Sequence, residues 1–282
     1  MSVSGRLRPP VEYLSLVSPA PPVAQLVGLF ISGFFGPMIL SIIGDDTLAN
    51  TTRRCCQSVD FEVHDRVVDQ ADLVWVCHDT PLAEGAPPDY QAVLGRIRAM
   101  VPQVKPETLI LISSQLPVGT TRQLAQEFPD HQFGYSPENI RVKVAVHDFM
   151  HQARIVVGLR PDVLDQHRPT VLTVLRPFTP HVIFTDPESA EMVKHALNCY
   201  LGLSIAFANE IARVCKIVGA DPQTVMHGVR TDPRSSLSAP LNPGAPFGGG
   251  HLARDIWLLG QLAEQHHLSL PIITHILESN NG

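Results

Sequence analysis

No run of basic residues long enough to form a nucleic-acid footprint occurs anywhere in the chain. A formal charge of −6 and a pI near 6.1 leave no positive face for a nucleic-acid backbone. Charged residues are only 17% of the 282, against 44% hydrophobic, which is too apolar for disorder and long enough for two domains with a buried core. Cysteine is scarce: Cys55, Cys56, Cys77, Cys199 and Cys215 are odd in number and have no framework or CxxC spacing. They read as reduced cytoplasmic thiols, neither disulfides nor metal ligands. The histidines, His266-His267 included, show no metal-ligand spacing either. Charge is wholly missing from Val23 to Ile43, a run of 21 residues that by length could span a membrane. Gly28, Gly33, Gly36 and Pro37 punctuate it as a turn would, and a buried parallel strand entering a packed helix is equally apolar, so a folded segment is the preferred reading. No signal peptide is read at the N-terminus.

What is present alternates. Residues 1–22 are proline-rich and read as an irregular arm. Leu26–Phe30 and Ile39–Ile43 are both candidate first strands, and Val59–Val63 has the alternation of a half-buried strand. Leu73–Cys77, Leu109–Ile112 and Arg154–Val157 are continuous apolar runs of the fully buried kind, while Tyr90–Met100 has helical spacing. Strands alternating with helices predict an α/β fold: a Rossmann-type parallel sheet domain over 23–185. After Asp186-Pro187 the texture changes. Glu188–Val218 is periodic and proline-free, one long helix or two end to end; Thr231–Gly250 is a loop; Arg254–Glu278 is helical with a break near Leu268–Pro271. Residues 186–282 are thus predicted to form an α-helical domain, whose long apolar helix face suggests a homodimer.

Several segments, in order, resemble the UDP-glucose/GDP-mannose dehydrogenase family. Cys77-His78-Asp79-Thr80-Pro81 is similar to its Val-x-Thr-Pro turn, and Ser114-Gln115-Leu116-Pro117-Val118-Gly119-Thr120-Thr121 to its Ser-Thr-x-Pro-x-Gly-Thr-Thr element. Ser136-Pro137-Glu138 with Asp148-Phe149 and Arg154-Ile155-Val156-Val157-Gly158 follows the family order. So do Ala190-Glu191, Lys194, Asn198, Asn209-Glu210, Pro243-Gly244, Phe247-Gly248-Gly249 and Asp255. The resemblance implies an NAD-dependent oxidoreductase acting on a CH–OH group of a sugar or nucleotide sugar. Lys194, Asn198, His251, Asp255 and Glu138 would be its catalytic residues, and Phe247, Gly248 and Gly249 its substrate-binding loop. Gly33, Gly36, Thr80, Pro81, Gln115 and Arg254 would be cofactor-binding. There are three departures. The family's catalytic Cys falls on His251; Gln115 replaces a Thr and Val142 a second acid; and the chain stops where the family's nucleotide-sugar-binding domain would begin. Without the thiol that forms the covalent adduct of the second oxidation, the reaction should stop at two electrons. A degenerate, inactive relative that only binds a ligand or partner is the alternative, and proton transfer without redox a third.

NAD binding rests on the resemblance, since neither candidate glycine turn is a complete fingerprint, while the helix and loop residues offer a chemistry of their own. Ile31-Ser32-Gly33-Phe34-Phe35-Gly36 keeps two glycines of a dinucleotide fingerprint, while a rival register at Ile39–Gly44 places Asp65 at the ribose-binding interval with one glycine. Lys194 and Asn198 lie one helical turn apart and can reach one oxygen. A near-neutral imidazole at His251 would suit a general base, with Asp255 to orient it.

Overall fold

The computed structural model describes residues 37–80, 88–236, 239–248 and 250–281. The arm, Leu26–Phe30, Gly33, Gly36, Pro81 and Gly249 lie outside the described residues. Packing divides the chain into two compact units, one holding Tyr90–Glu191 with the residues through Thr80, the other built on Met192–Gly282.

Among the described residues the first unit is a seven-stranded sheet in the order β2-β1-β3-β4-β5-β6-β7. Its strands are β1 (Ile39–Ile43), β2 (Glu62–His64), β3 (Leu73–Val76), β4 (Leu109–Ile112), β5 (Gln132–Tyr135), β6 (Ile155–Leu159) and β7 (Val182–Thr185). All neighbours pair in parallel except β5 and β6. The uninterrupted apolar sequences of β3 and β4 follow from their central place, where every residue is buried on one face or the other. Helices α1 (Thr47–Gln57), α2 (Tyr90–Met100), α3 (Thr120–Glu127), α4 (Ala145–Met150) and α5 (Pro161–Leu175) connect them. Leu40, Ile42, Trp75, Leu111, Phe149, Val157 and Phe178 form the centre of one core, each contributing about 1.5–3 kcal/mol through burial. Phe149 meets Phe178 edge-on at 4.9 Å and Trp75 at 6.0 Å.

Two outcomes for the sequence reading bear on function. Ile39–Ile43, one of the two candidate first strands, is the first strand among the described residues, so the last residues of the apolar run 23–43 are buried sheet; among the described residues no helix is long and apolar enough to cross a membrane. Second, β2 lies at Glu62–His64, displaced from Val59–Val63 because α1 runs on to Gln57 and a turn intervenes. β2 ends at 64 and β3 starts at 73, leaving eight residues to cross over β1, fewer than the dozen or more of an ordinary parallel crossover. This strap holds no helix. It is pinned to β1 where Val68 N–H donates to Ser41 Oγ (3.1 Å) and where Ile39 N–H donates to Asp72 Oδ2 (2.8 Å).

Helix α6 (Pro187–Val218) is a single helix of 32 residues. It is followed by α7 (Pro222–Thr231), α8 (Gly250–Gln265) and α9 (Pro271–Asn281). Helix α8 therefore begins four residues before the predicted Arg254 and carries His251 with it. In the second unit Cys199, Ile256, Leu259 and Ile276 make one cluster, and Ala208, Met226, Ala239 and Leu241 another. Gly202 lets α6 approach closely: an added Cβ would lie 3.2 Å from Ile256 and 3.4 Å from Ile276.

Candidate active site

In the first unit, chemistry gathers at the C-terminal ends of β1, β3, β4 and β5, where sheets of this kind take ligands. Leaving β1, the chain turns through Gly44, whose φ of +149° suits only glycine and whose Cβ would lie 2.8 Å from both Ala49 Cβ and the Cys77 carbonyl oxygen. Arg53 donates from Nε to the Ile42 carbonyl (3.2 Å) and from Nη2 to that of Gly44, bracing the turn from α1. Asp65 stands exposed just beyond β2, 21 residues after Gly44. Thr80 Oγ1 donates to the Gln115 carbonyl at 2.6 Å, joining the ends of β3 and β4. Beside them Ser114 Oγ, Gln115 Nε2 and His78 Nδ1 are buried with no hydrogen-bond partner among the described residues. Burial, with Arg96 nearby, pulls the His78 pKa down. Unpartnered buried polar atoms cost about 1–3 kcal/mol each, so three together on adjoining strand ends are groups built to meet a polar ligand. Glu138, at the end of β5, folds back so that its carboxylate accepts from the Ile140 N–H. Arg141 grips Asp148 with two guanidinium hydrogen bonds of 2.8 and 2.7 Å, holding that carboxyl far below the usual range.

Glu191, at the start of α6, is a buried carboxylate that sequence reasoning leaves without a role. It accepts from the Gly119 N–H (2.6 Å), the Thr121 N–H (2.9 Å) and Thr121 Oγ1 (2.7 Å), so it closes the N-terminus of α3. Burial nonetheless raises its pKa. A carboxyl whose pKa is raised by folding adds stability that is fully present below its unfolded value, about 4.3, and is lost as pH rises through the folded value. Glu191→Gln presents an amide donor to these donors and is expected to destabilise the fold by about 1–3 kcal/mol at neutral pH. The gap to wild type should widen as pH falls toward 4 in urea unfolding; a pH-independent gap would contradict the assigned cause.

In the second unit, Asp255 of α8 is fully buried and ties α8 to α6. Its Oδ1 accepts from His195 Nδ1 at 2.5 Å, and its Oδ2 from Asn198 Nδ2. Lys194 is buried on the same stretch of α6. Asn198 and Asp255 are thus brought together as the motif implies, but the imidazole that Asp255 orients is His195. His251 is exposed, one turn before Arg254, whose Nη2 donates to His251 Nδ1 at 2.8 Å. Guanidinium only donates, so Nδ1 is the acceptor and the His251 proton sits on Nε2. His251 therefore presents a donor at Nε2 in this arrangement. In the loop expected to bind substrate, the Phe247 N–H and carbonyl are both bonded to the Asn280 side chain (2.8 and 3.1 Å), and Gly248 is exposed. Among the thiols, Cys199 adjoins this cluster, yet burial and then Asp255 push its pKa up to about 12, and it supplies no nucleophile in place of the missing one. All five cysteines are unpaired and buried.

Two family models match in register with these two units. Residues 41–172 match the NAD binding domain of the UDP-glucose/GDP-mannose dehydrogenase family, and residues 188–282 its central domain. The chain belongs to that family. Residues 41–172 are its NAD binding domain, and the glycine turn with the three orphaned polar atoms fits a dinucleotide in that place. Among curated relatives, UDP-glucose 6-dehydrogenase YwqF of Bacillus subtilis is 28% identical over 232 residues, 79% of this chain and 52% of its own length. UDP-glucose 6-dehydrogenase of Rickettsia felis is 28% identical over 222 residues, 77% of this chain and 49% of its own. This family member therefore spans about half the length of the curated relatives it matches. Among solved structures, a UDP-glucose dehydrogenase from Pyrobaculum islandicum superposes with a TM-score of 0.77 at 21% identity, covering 89% of this chain and 69% of that one. The UDP-D-ManNAc dehydrogenase of Pyrococcus horikoshii gives 0.72 at 19%, covering 86% and 68%. Both share the fold.

Proposed function

We propose that this family member is an NAD-dependent oxidoreductase that takes a CH–OH group of a nucleotide sugar through one two-electron oxidation and releases the aldehyde or ketone. The observation that carries the proposal is the Lys194–Asn198–Asp255 cluster combined with a His251 that occupies the thiol's sequence position as a hydrogen-bond donor. Bound NAD supplies the hydride acceptor. Of the chain's own groups, Asn198 is held rigid by Asp255, and Lys194, a turn away on α6, provides the positive charge that stabilises an alkoxide oxygen as its proton passes to solvent water and its carbon gives up the hydride. His251 Nε2–H can donate to the same oxygen or to the sugar, but it forms no durable covalent adduct, so the hydrated aldehyde is not carried onward. We read the protein as a cytoplasmic homodimer. The buried reduced thiols support the compartment. The exposed Tyr200, Leu203, Phe207, Val214 and Ile217, spaced along α6, support the dimer.

The test is to mix the protein with NAD and a panel of UDP- and GDP-sugars, following NADH and product. One NADH per carbonyl product is expected, with the protein sedimenting at the dimer mass. His251→Cys should raise the yield to two NADH per substrate with an acid as product. Silence of folded wild type and variant across the panel would end this reading.

A further inference from the structure

The turn that enters α1 reads Gly44-Asp45-Asp46-Thr47-Leu48-Ala49. Set against the dinucleotide fingerprint, Gly44 fills the first glycine position and Ala49 the permitted third, while Asp46 stands at the second. That second position is the one at which the backbone must come up to a pyrophosphate, and its amides, with the helix N-terminus, are what hold the anion. In this chain the amides are already engaged. Asp46 Oδ1 accepts from Leu48 N–H at 2.9 Å and from Ala49 N–H at 3.1 Å, and Oδ2 accepts from the Asp79 N–H at the end of β3. A carboxylate thus occupies the donors that a phosphate oxygen would use, and it bridges the two loops, β1–α1 and that after β3, between which the pyrophosphate of such a fold runs. Asp45 beside it is paired with Arg96 at 3.4 Å, so the neighbouring cation is itself committed.

An aspartate as N-cap is ordinary helix chemistry, worth about 1 kcal/mol to the helix. What sets this one apart is its position in a domain that matches an NAD binding model, while Ser114 Oγ, Gln115 Nε2 and His78 Nδ1, on the next strand ends, have no hydrogen-bond partner among the described residues. The two observations point opposite ways: the strand ends are prepared for a ligand, and the phosphate cradle is filled from within. We infer that Asp46 is an intramolecular competitor for the cofactor's pyrophosphate, an affinity-determining residue that must be displaced for the dinucleotide to seat and that sets a weak, salt-sensitive NAD affinity. This rests on the reading of the chain as an NAD enzyme. Displacement costs the cap, and the displaced carboxylate stays close to two phosphate charges, so binding is opposed twice; salt screens the second effect and leaves the first.

Titration calorimetry of NAD into wild type, Asp46→Ser, Asp46→Asn and Asp46→Gly tests it, with circular dichroism to confirm folding. Serine keeps a cap without charge, and asparagine keeps cap and shape. Serine and glycine are expected to tighten NAD binding by about tenfold or more, asparagine by less, and raising the salt should narrow the wild-type gap. Equal affinity in all four folded proteins, or weaker binding in the variants, overturns Asp46 as competitor while leaving NAD binding intact. No binding by any of them, all folded, overturns the competitor role and the NAD reading together.

Discussion

Asp255→Ala is expected to lower the unfolding free energy by about 3–5 kcal/mol and to abolish turnover, because it strips a fully buried carboxylate from two buried partners. His195 and Asn198 would be left in the core of the helical unit without their acceptor, and the removed side chain leaves a void between α6 and α8. A total stability of about 5–15 kcal/mol makes such a loss visible as a large shift of the urea midpoint. Asp255→Asn should cost less, since one oxygen still accepts, but its amide then faces a donor. Adding His195→Phe to Asp255→Ala should cost less than the sum of the two single changes, with a coupling of about 0.5–3 kcal/mol. A loss under 1 kcal/mol for Asp255→Ala, or strict additivity, would show that the tie between α6 and α8 is not where the stability lies.

The second large effect sits in the sheet unit. Gly158, inside β6, faces the first turn of α6 so closely that an added Cβ would lie 2.6 Å from Pro187 Cα, 2.7 Å from Ala190 Cβ and 2.9 Å from the Asp186 carbonyl oxygen. None of these is the end of a flexible side chain. Gly158→Ala must therefore push strand and helix apart, at a cost of about 1–3 kcal/mol or more. Gly95→Ala in α2 makes the control: nothing lies within 4 Å of its Cβ, so the change should stabilise by about 0.5–1 kcal/mol through helix propensity. Thermal unfolding should move the two variants in opposite directions. A Gly158→Ala protein melting with wild type would refute the close packing of β6 on α6.

Much of the architecture is legible in the chain because burial on both faces leaves an unmistakable trace. Leu73–Val76 and Leu109–Ile112 are read as buried strands from their apolar runs alone, and α6 from its unbroken helical period. Elsewhere the local signal is ambiguous. Two sets of glycines fall in one uncharged stretch, and only sheet pairing makes Ile39–Ile43 the strand and Gly44 its turn. Glycines at 248–250 read as loop, yet α8 begins at Gly250, since a first helical position makes little demand on propensity and leaves little local trace. His195 is invisible as a partner of Asp255 because sixty residues separate them, though its place between Lys194 and Asn198 is a usable hint. Asp46 could have been found by laying the fingerprint on Gly44 and asking what stands two residues on.

The eight-residue strap also decides how the molecule ends at one side. Among the described residues no further strand lies beyond it, so β2 is the sheet's border there, and it is only three residues long, with the Glu62 and His64 side chains joined by a 2.9 Å hydrogen bond. So brief and polar a rim offers another copy too few main-chain groups to template a continuous ladder, which protects a concentrated solution of the protein from edge-to-edge aggregation on that flank.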